Sequence, residues 1–288
     1  LLFSLSSNAQ WVQLSNGMGD YKPVYSLAVS GSNIFAGTDI GLYHTVNNGL
    51  NWTKTAMYDI KVQCLAVAGN NLLAGTINSG IYLSSNNGIS WAQSSLNNRN
   101  VMTILVNGST VFAGTNFGVY ISFNSGLSWT QTTLNFQNVH SLAGSGYNIF
   151  AGTGGAGVYF SSDNGSTWVQ SSMNNQYVYS LTAISGKVFA GTLSNGVFMS
   201  SNNGANWSQT SLNNKTITAL SSDVSGLFAG TDSSGIFFTA DNGTNWFAKN
   251  QGFNSAKRIN SLLITSGYIF TGITDQAVWR RSVSEVIN

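Results

Sequence analysis

Charge is what this sequence has least of: Asp, Glu, Lys and Arg make up 7% of 288 residues, against roughly 25% in an average soluble domain. The exterior must therefore be covered mostly by Ser, Thr, Asn and Gln. The seven lysines and four arginines are scattered and the net charge is +2. That distribution offers no electrostatic footprint for nucleic acid or an anionic membrane, so neither is expected as a partner. The lone cysteine, Cys64, excludes an intrachain disulfide, and no apolar run is long enough to span a bilayer. Two histidines, His44 and His140, stand far apart without ligand-spaced companions, so no metal site and no cofactor are expected. No sustained apolar 3.6-residue period marks a long helix, and there is a single proline.

What is there is glycine, 32 residues of it, and repetition. A Phe-Ala-Gly-Thr landmark recurs with its glycine at 37, 75, 114, 152, 191, 230 and, in a weaker copy, 272. The steps are 38, 39, 38, 39, 39 and 42 residues, and a period near 40 in a strand-rich chain predicts propeller blades. Within one unit the turn residues place four strands at about 24–29, 34–38, 41–45 and 51–55, here named A to D. The third position of strand A is always small (Ser26, Cys64, Thr103, Ser141, Ser180, Ala219, Ser261), and the fourth is always Leu or Ile. Such alternation suits innermost strands crowding toward an axis.

The expected architecture is all-β: a seven-bladed propeller of four-stranded antiparallel blades, single-domain over residues 10–283. The blades fall at about 24–55, 62–94, 101–132, 139–171, 178–210, 217–249, and 259–283 together with 10–15. The last unit lacks a Trp-bearing fourth strand, whereas Trp11 precedes Trp52 by 41 residues, one repeat. The N-terminal strand is therefore expected to complete blade seven and remove the two open edges of the ring. Residues 1–9 read as the remnant of an apolar signal segment, or else as an ordinary first strand, and 284–288 as a tail. The signal reading predicts a secreted or cell-surface protein, and a closed propeller predicts a monomer.

A second landmark is a hydroxyl residue, Asp or Asn two on, Gly two further and Trp three after that. Its six copies carry Asn47, Asn86, Asn124, Asp163, Asn202 and Asp241, followed by Trp52, Trp91, Trp129, Trp168, Trp207 and Trp246. Tight-turn chemistry between strands C and D accounts for every residue in it, and four Asn copies show that a carboxylate is not required.

At these residues the chain resembles the Asp-box, or BNR-repeat, family of sialidases, xyloglucanases, sortilin-type receptors and secreted bacterial repeat proteins. The resemblance implies that the boxes are structural and lie opposite the binding face. The ending Val278-Trp279-Arg280-Arg281-Ser282-Val283-Ser284-Glu285 also resembles the end of secreted bacterial propellers that continue into a sorting domain. A sialidase of this family needs three arginines around the substrate carboxylate, a Tyr with a Glu partner and an Asp acid. This chain has only Arg99, Arg258, Arg280 and Arg281, and its one Glu is Glu285, so sialidase activity is not expected.

The face opposite the boxes carries the variable connections. Its candidate binding residues are Tyr25, Tyr58, Arg99, Phe117, Phe136, His140, Tyr177, Tyr179, Lys215 and Arg258. The second position of strand A is Tyr25, Gln63, Met102, His140, Tyr179, Thr218 or Asn260, a ring of mixed chemistry. It either binds a ligand or merely plugs the channel mouth. Aromatics among amides and hydroxyls fit a neutral glycan or a peptide, and the favoured function is a non-catalytic propeller binding a glycan or an extracellular protein. The alternative is a glycoside hydrolase using Asp39 and Asp232, which occupy equivalent places after the Phe-Ala-Gly-Thr landmark. Such a carboxylate pair works at separations of roughly 5 to 9.5 Å.

Overall fold

The computed structural model describes residues 10–253 and 258–287; the expected signal remnant at 1–9, Lys257 and Asn288 lie outside the described residues. The chain forms seven four-stranded antiparallel sheets. Blade one is Val24–Ser30, Asn33–Thr38, Gly41–Thr45 and Thr53–Tyr58, its first two strands joined at Gly31 with a φ of 60°. Successive A strands touch one another around the ring, and the seventh, Ile259–Thr265, returns to the first.

Among the described residues the core is divided into seven apolar clusters, each shared by two neighbouring blades. The Phe-Ala-Gly-Thr strand contributes to every one of them, because it is covered on both faces: Phe35, Phe112, Phe150, Phe189, Phe228 and Phe270 are fully buried. Its glycine marks where one blade closes on the next. A Cβ on Gly37 would stand 2.8 Å from the Val62 Cγ1 of blade two, so here glycine serves close approach rather than an unusual φ. Its buried threonine pins the B-to-C turn: Thr38 Oγ1 donates to the Gly41 carbonyl at 2.8 Å, and five other blades repeat the bond.

The N-terminal strand closes the ring as the spacing predicts. Val12–Leu14 pairs antiparallel with Val278–Ser282, completing the sheet of blade seven. Trp11, 2% exposed, stacks on Phe253 at 4.9 Å, and its indole N–H donates to the Lys249 carbonyl at 2.6 Å.

Two details differ from the sequence reading. The D ladder has only two residues in blades two, four, five and six, for example Ala92–Gln93 and Val169–Gln170. The chain bends at Ser94 and Ser171, whose hydroxyls accept the N–H groups of Leu96 and Met173 as those side chains turn into the blade interfaces. The expected tail, moreover, opens with a short helix, Val283–Ile287, which seats Val286 in the cluster around Trp11 and Trp279.

The boxes form the C-to-D turns. In the fourth, Ser161 Oγ accepts the Gly165 N–H at 2.8 Å and donates to Asp163 Oδ1 at 2.7 Å, while Oδ1 accepts the Thr167 N–H at 2.9 Å. The Asn boxes reproduce this with the amide oxygen, as at Ser84, Asn86 and Ser90. The residue before each box glycine, Asn in five copies and Ser125 in the third, also has a positive φ, between 53° and 58°. Asn there fits the left-handed conformation. Trp129, Trp168 and Trp207 donate their indole N–H to the box glycine carbonyl, whereas those of Trp52, Trp91 and Trp246 find no partner among the described residues.

Candidate functional site

Every A strand contains the same irregularity. Its pairing with strand B slips between the first and third residues, for instance between Val24 and Ser26, and the same slip recurs in the other six blades. The skipped residues are Tyr25, Gln63, Met102, His140, Tyr179, Thr218 and Asn260, the mixed ring noted in the sequence. A bulged residue lies outside the ladder and its side chain is re-aimed. All seven side chains line one cavity of about 430 Å³ at the start of the A strands, opposite the boxes. That volume lies within the usual range for ligand pockets.

Two loop cations join the ring. Lys61 Nζ sits 4.0 Å from the centre of the Tyr25 ring, and the Arg258 guanidinium 5.6 Å from that of Tyr179. Both line the cavity. Arg258 also pairs with Asp232 at 2.8 Å, the one ion pair among the described residues. Across the ring, Tyr177 and Tyr179 pack at 4.6 Å between ring centres, and the Tyr177 hydroxyl meets His140 Nε2 at 2.7 Å. Burial lowers the His140 pKa below its ordinary value. Burial raises that of Tyr177, the neighbouring Tyr179 adding to the rise and Arg258 opposing it. Cys64 also lines the cavity, but burial raises its thiol pKa strongly, so it is no thiolate nucleophile.

Of the candidate binding residues, Tyr25, His140, Tyr179 and Arg258 border the cavity, and Tyr177 packs against two of them. Lys215 and Asp232 line a separate depression of about 210 Å³ between blades five and six. Tyr58, Phe117 and Phe136 are exposed and do not line the cavity, and Arg99 reaches over the Phe117 ring at 5.1 Å. Phe136 has a φ of 56°, in a loop position held elsewhere by Asp59, Asn98 and Asn214. Neither Asp39 nor Asp232 lines the cavity; Asp39 is exposed just after Thr38, and Asp232 is engaged by Arg258. Arg280 and Arg281 serve packing instead, Arg280 binding the Asn48 carbonyl of a box and buried Arg281 the Gln251 side chain. Among the described residues no group of His, Cys, Asp and Glu could hold a metal ion, and no helix is long and apolar enough to cross a membrane.

Sequence reasoning missed the bulge and the pairing of Lys61 with Tyr25. The signal for the first was the seven-fold variability of one position inside an otherwise uniform strand.

The chain matches no protein-family model, and no curated protein matches it. Its backbone nevertheless matches solved propellers. The extracellular domain of the one-component system BT4673 from B. thetaiotaomicron superposes with a TM-score of 0.77 at 19% identity, over 96% of this chain and 40% of that one. A GH74 xyloglucanase from Xanthomonas campestris gives 0.75 at 14% identity, over 96% and 54%. YCF48 bound to D1 peptide gives 0.72 at 14% identity, over 97% and 96%. This chain thus spans about half or less of the first two proteins and almost all of the third. At such identities the likeness shows the fold alone.

Proposed function

We propose that this chain is a non-catalytic binding propeller of the Asp-box type that takes a glycan or an extracellular protein at the mouth of its central cavity. The observation that carries the reading is the convergence of seven bulged side chains of mixed chemistry on one cavity. The similar fold of YCF48, solved with a bound peptide, and of the extracellular domain of BT4673 supports a binding role outside the cell. Residues 10–283 act as one unit, and the protein works as a secreted or cell-surface monomer.

The test is a glycan array and a peptide library probed with the protein and with its Tyr25→Ala/Tyr179→Ala variant. The expected result is a ligand bound by the parent and lost by the variant, both melting alike. Binding untouched in the variant would place the site elsewhere. Glycoside hydrolysis by Asp39 and Asp232 is the weaker reading, because neither carboxylate lines the cavity. Turnover of a glycan that disappears in the Asp39→Asn/Asp232→Asn variant would revive it.

A further inference from the structure

The charged side chains of the cavity lining are of one sign: Lys61 and Arg258 line it with no carboxylate, while burial favours the neutral form of His140. Arg258 is already answered by Asp232, whereas among the described residues no hydrogen bond or ion pair of the Lys61 ammonium is found. Asp59, two residues before Lys61, forms no ion pair with it. An ammonium held over the Tyr25 ring keeps three donors available to whatever enters.

Tyr179, four blades on from Tyr25, also lines the cavity and is backed by Tyr177, the two rings tilted at 45° to one another. Met102, Leu27, Leu65 and Cys64 are the apolar members of a lining whose other side chains are polar or polar-edged. A pyranose has a C–H face that packs on tyrosine and a rim that hydrogen-bonds to amides and hydroxyls. Resting on the binding role proposed above, we infer that the ligand is an acidic glycan, whose anionic substituent sits at Lys61 while a sugar ring packs against Tyr179. The substituent is a carboxylate or a sulfate, which share this chemistry.

Titration calorimetry with defined oligosaccharides tests this. The probes are a galacturonate hexamer, its methyl-esterified neutral form, a sulfated galactan hexamer and hexaglutamate. At least one anionic hexasaccharide binds about tenfold or more tightly than the methyl ester. Lys61→Met removes that advantage, Lys61→Arg retains most of it, and added salt weakens it; unchanged melting of both variants confirms their folding. Which hexasaccharide binds separates carboxylate from sulfate. Equal binding of the neutral ester, or binding indifferent to Lys61→Met, overturns the inference and leaves the binding role standing. Preference for hexaglutamate overturns the glycan assignment. Binding of none of the four at millimolar concentration, where the array finds another ligand lost in the Tyr25→Ala/Tyr179→Ala variant, overturns the inference alone; with no array ligand either, both fall.

Discussion

Gly272 of the last blade lies against Val24 of the first: a methyl group on Gly272 would stand 2.6 Å from the Val24 carbonyl oxygen and 2.7 Å from its Cγ1. The same approach recurs at every blade boundary, so closure uses the contact that stacks any two blades. Gly272→Ala therefore overpacks the seam and costs about 1–3 kcal/mol. Thermal unfolding measures it, and an unchanged midpoint would contradict the tight seam.

The N-terminal strand contributes the outer edge of blade seven. A chain beginning at Val24 should melt lower or aggregate, since Val278–Ser282 loses its partner. Trp11→Ala, with the strand retained, costs about 3–5 kcal/mol for a buried aromatic. Cooperative unfolding of the shortened chain at the parent midpoint would refute this role of the strand.

Asp163 and Asp241 have pKa values lowered to about 2, first by the backbone N–H groups of Thr167 and Asn245 and then by neighbouring side chains. A carboxylate depressed in the fold gives stability that is present above its ordinary value of about 3.9 and lost as the pH falls through about 2. The melting temperature should drop across that window, and the Asp163→Asn/Asp241→Asn variant should flatten the drop. Parallel acid profiles of the two proteins would count against it.

His140 gives a second, milder window. Its pKa is lowered by burial, so the stability it contributes is present above its ordinary value near 6.5 and is lost as the pH falls through the depressed one. His140→Gln should remove that component of the stability profile, and an NMR titration of the imidazole should place its midpoint below that of a free histidine.

Phe136 sits in the left-handed region, exposed, where other blades place Asp or Asn. Phe136→Asn should raise stability by about 1 kcal/mol, because it relieves that strain. If the exposed ring contributes to binding, affinity should fall in the same variant, and comparing the two measurements separates a functional aromatic from a neutral one.

The blade count, the closure and the orientation of the boxes were legible because each rests on a repeated residue type at a fixed spacing, as with Gly37 or Trp52. The two-residue D ladders were not, since Ser94 ends a strand through a hydroxyl bond that resembles ordinary strand sequence. Nor was the cavity. Tyr25, His140 and Tyr179 could be grouped by position, but the slip in pairing that frees them is a backbone event that no residue type marks, only the variability of that one position. Lys61 lies in a loop whose path over Tyr25 only the folded chain defines.

The bulge has a consequence for how such a protein can change. A side chain that takes no part in the ladder can be exchanged without unpairing a strand, although Thr218 and Asn260 also bond to the next blade, at the Ile259 and Val24 carbonyls. Seven such positions open onto one space, and a library varied at Tyr25, Gln63, Met102 and Tyr179 would change the cavity lining while leaving these bonds between blades in place. Strand pairing and most of the cavity lining thus draw on separate columns of the same repeat.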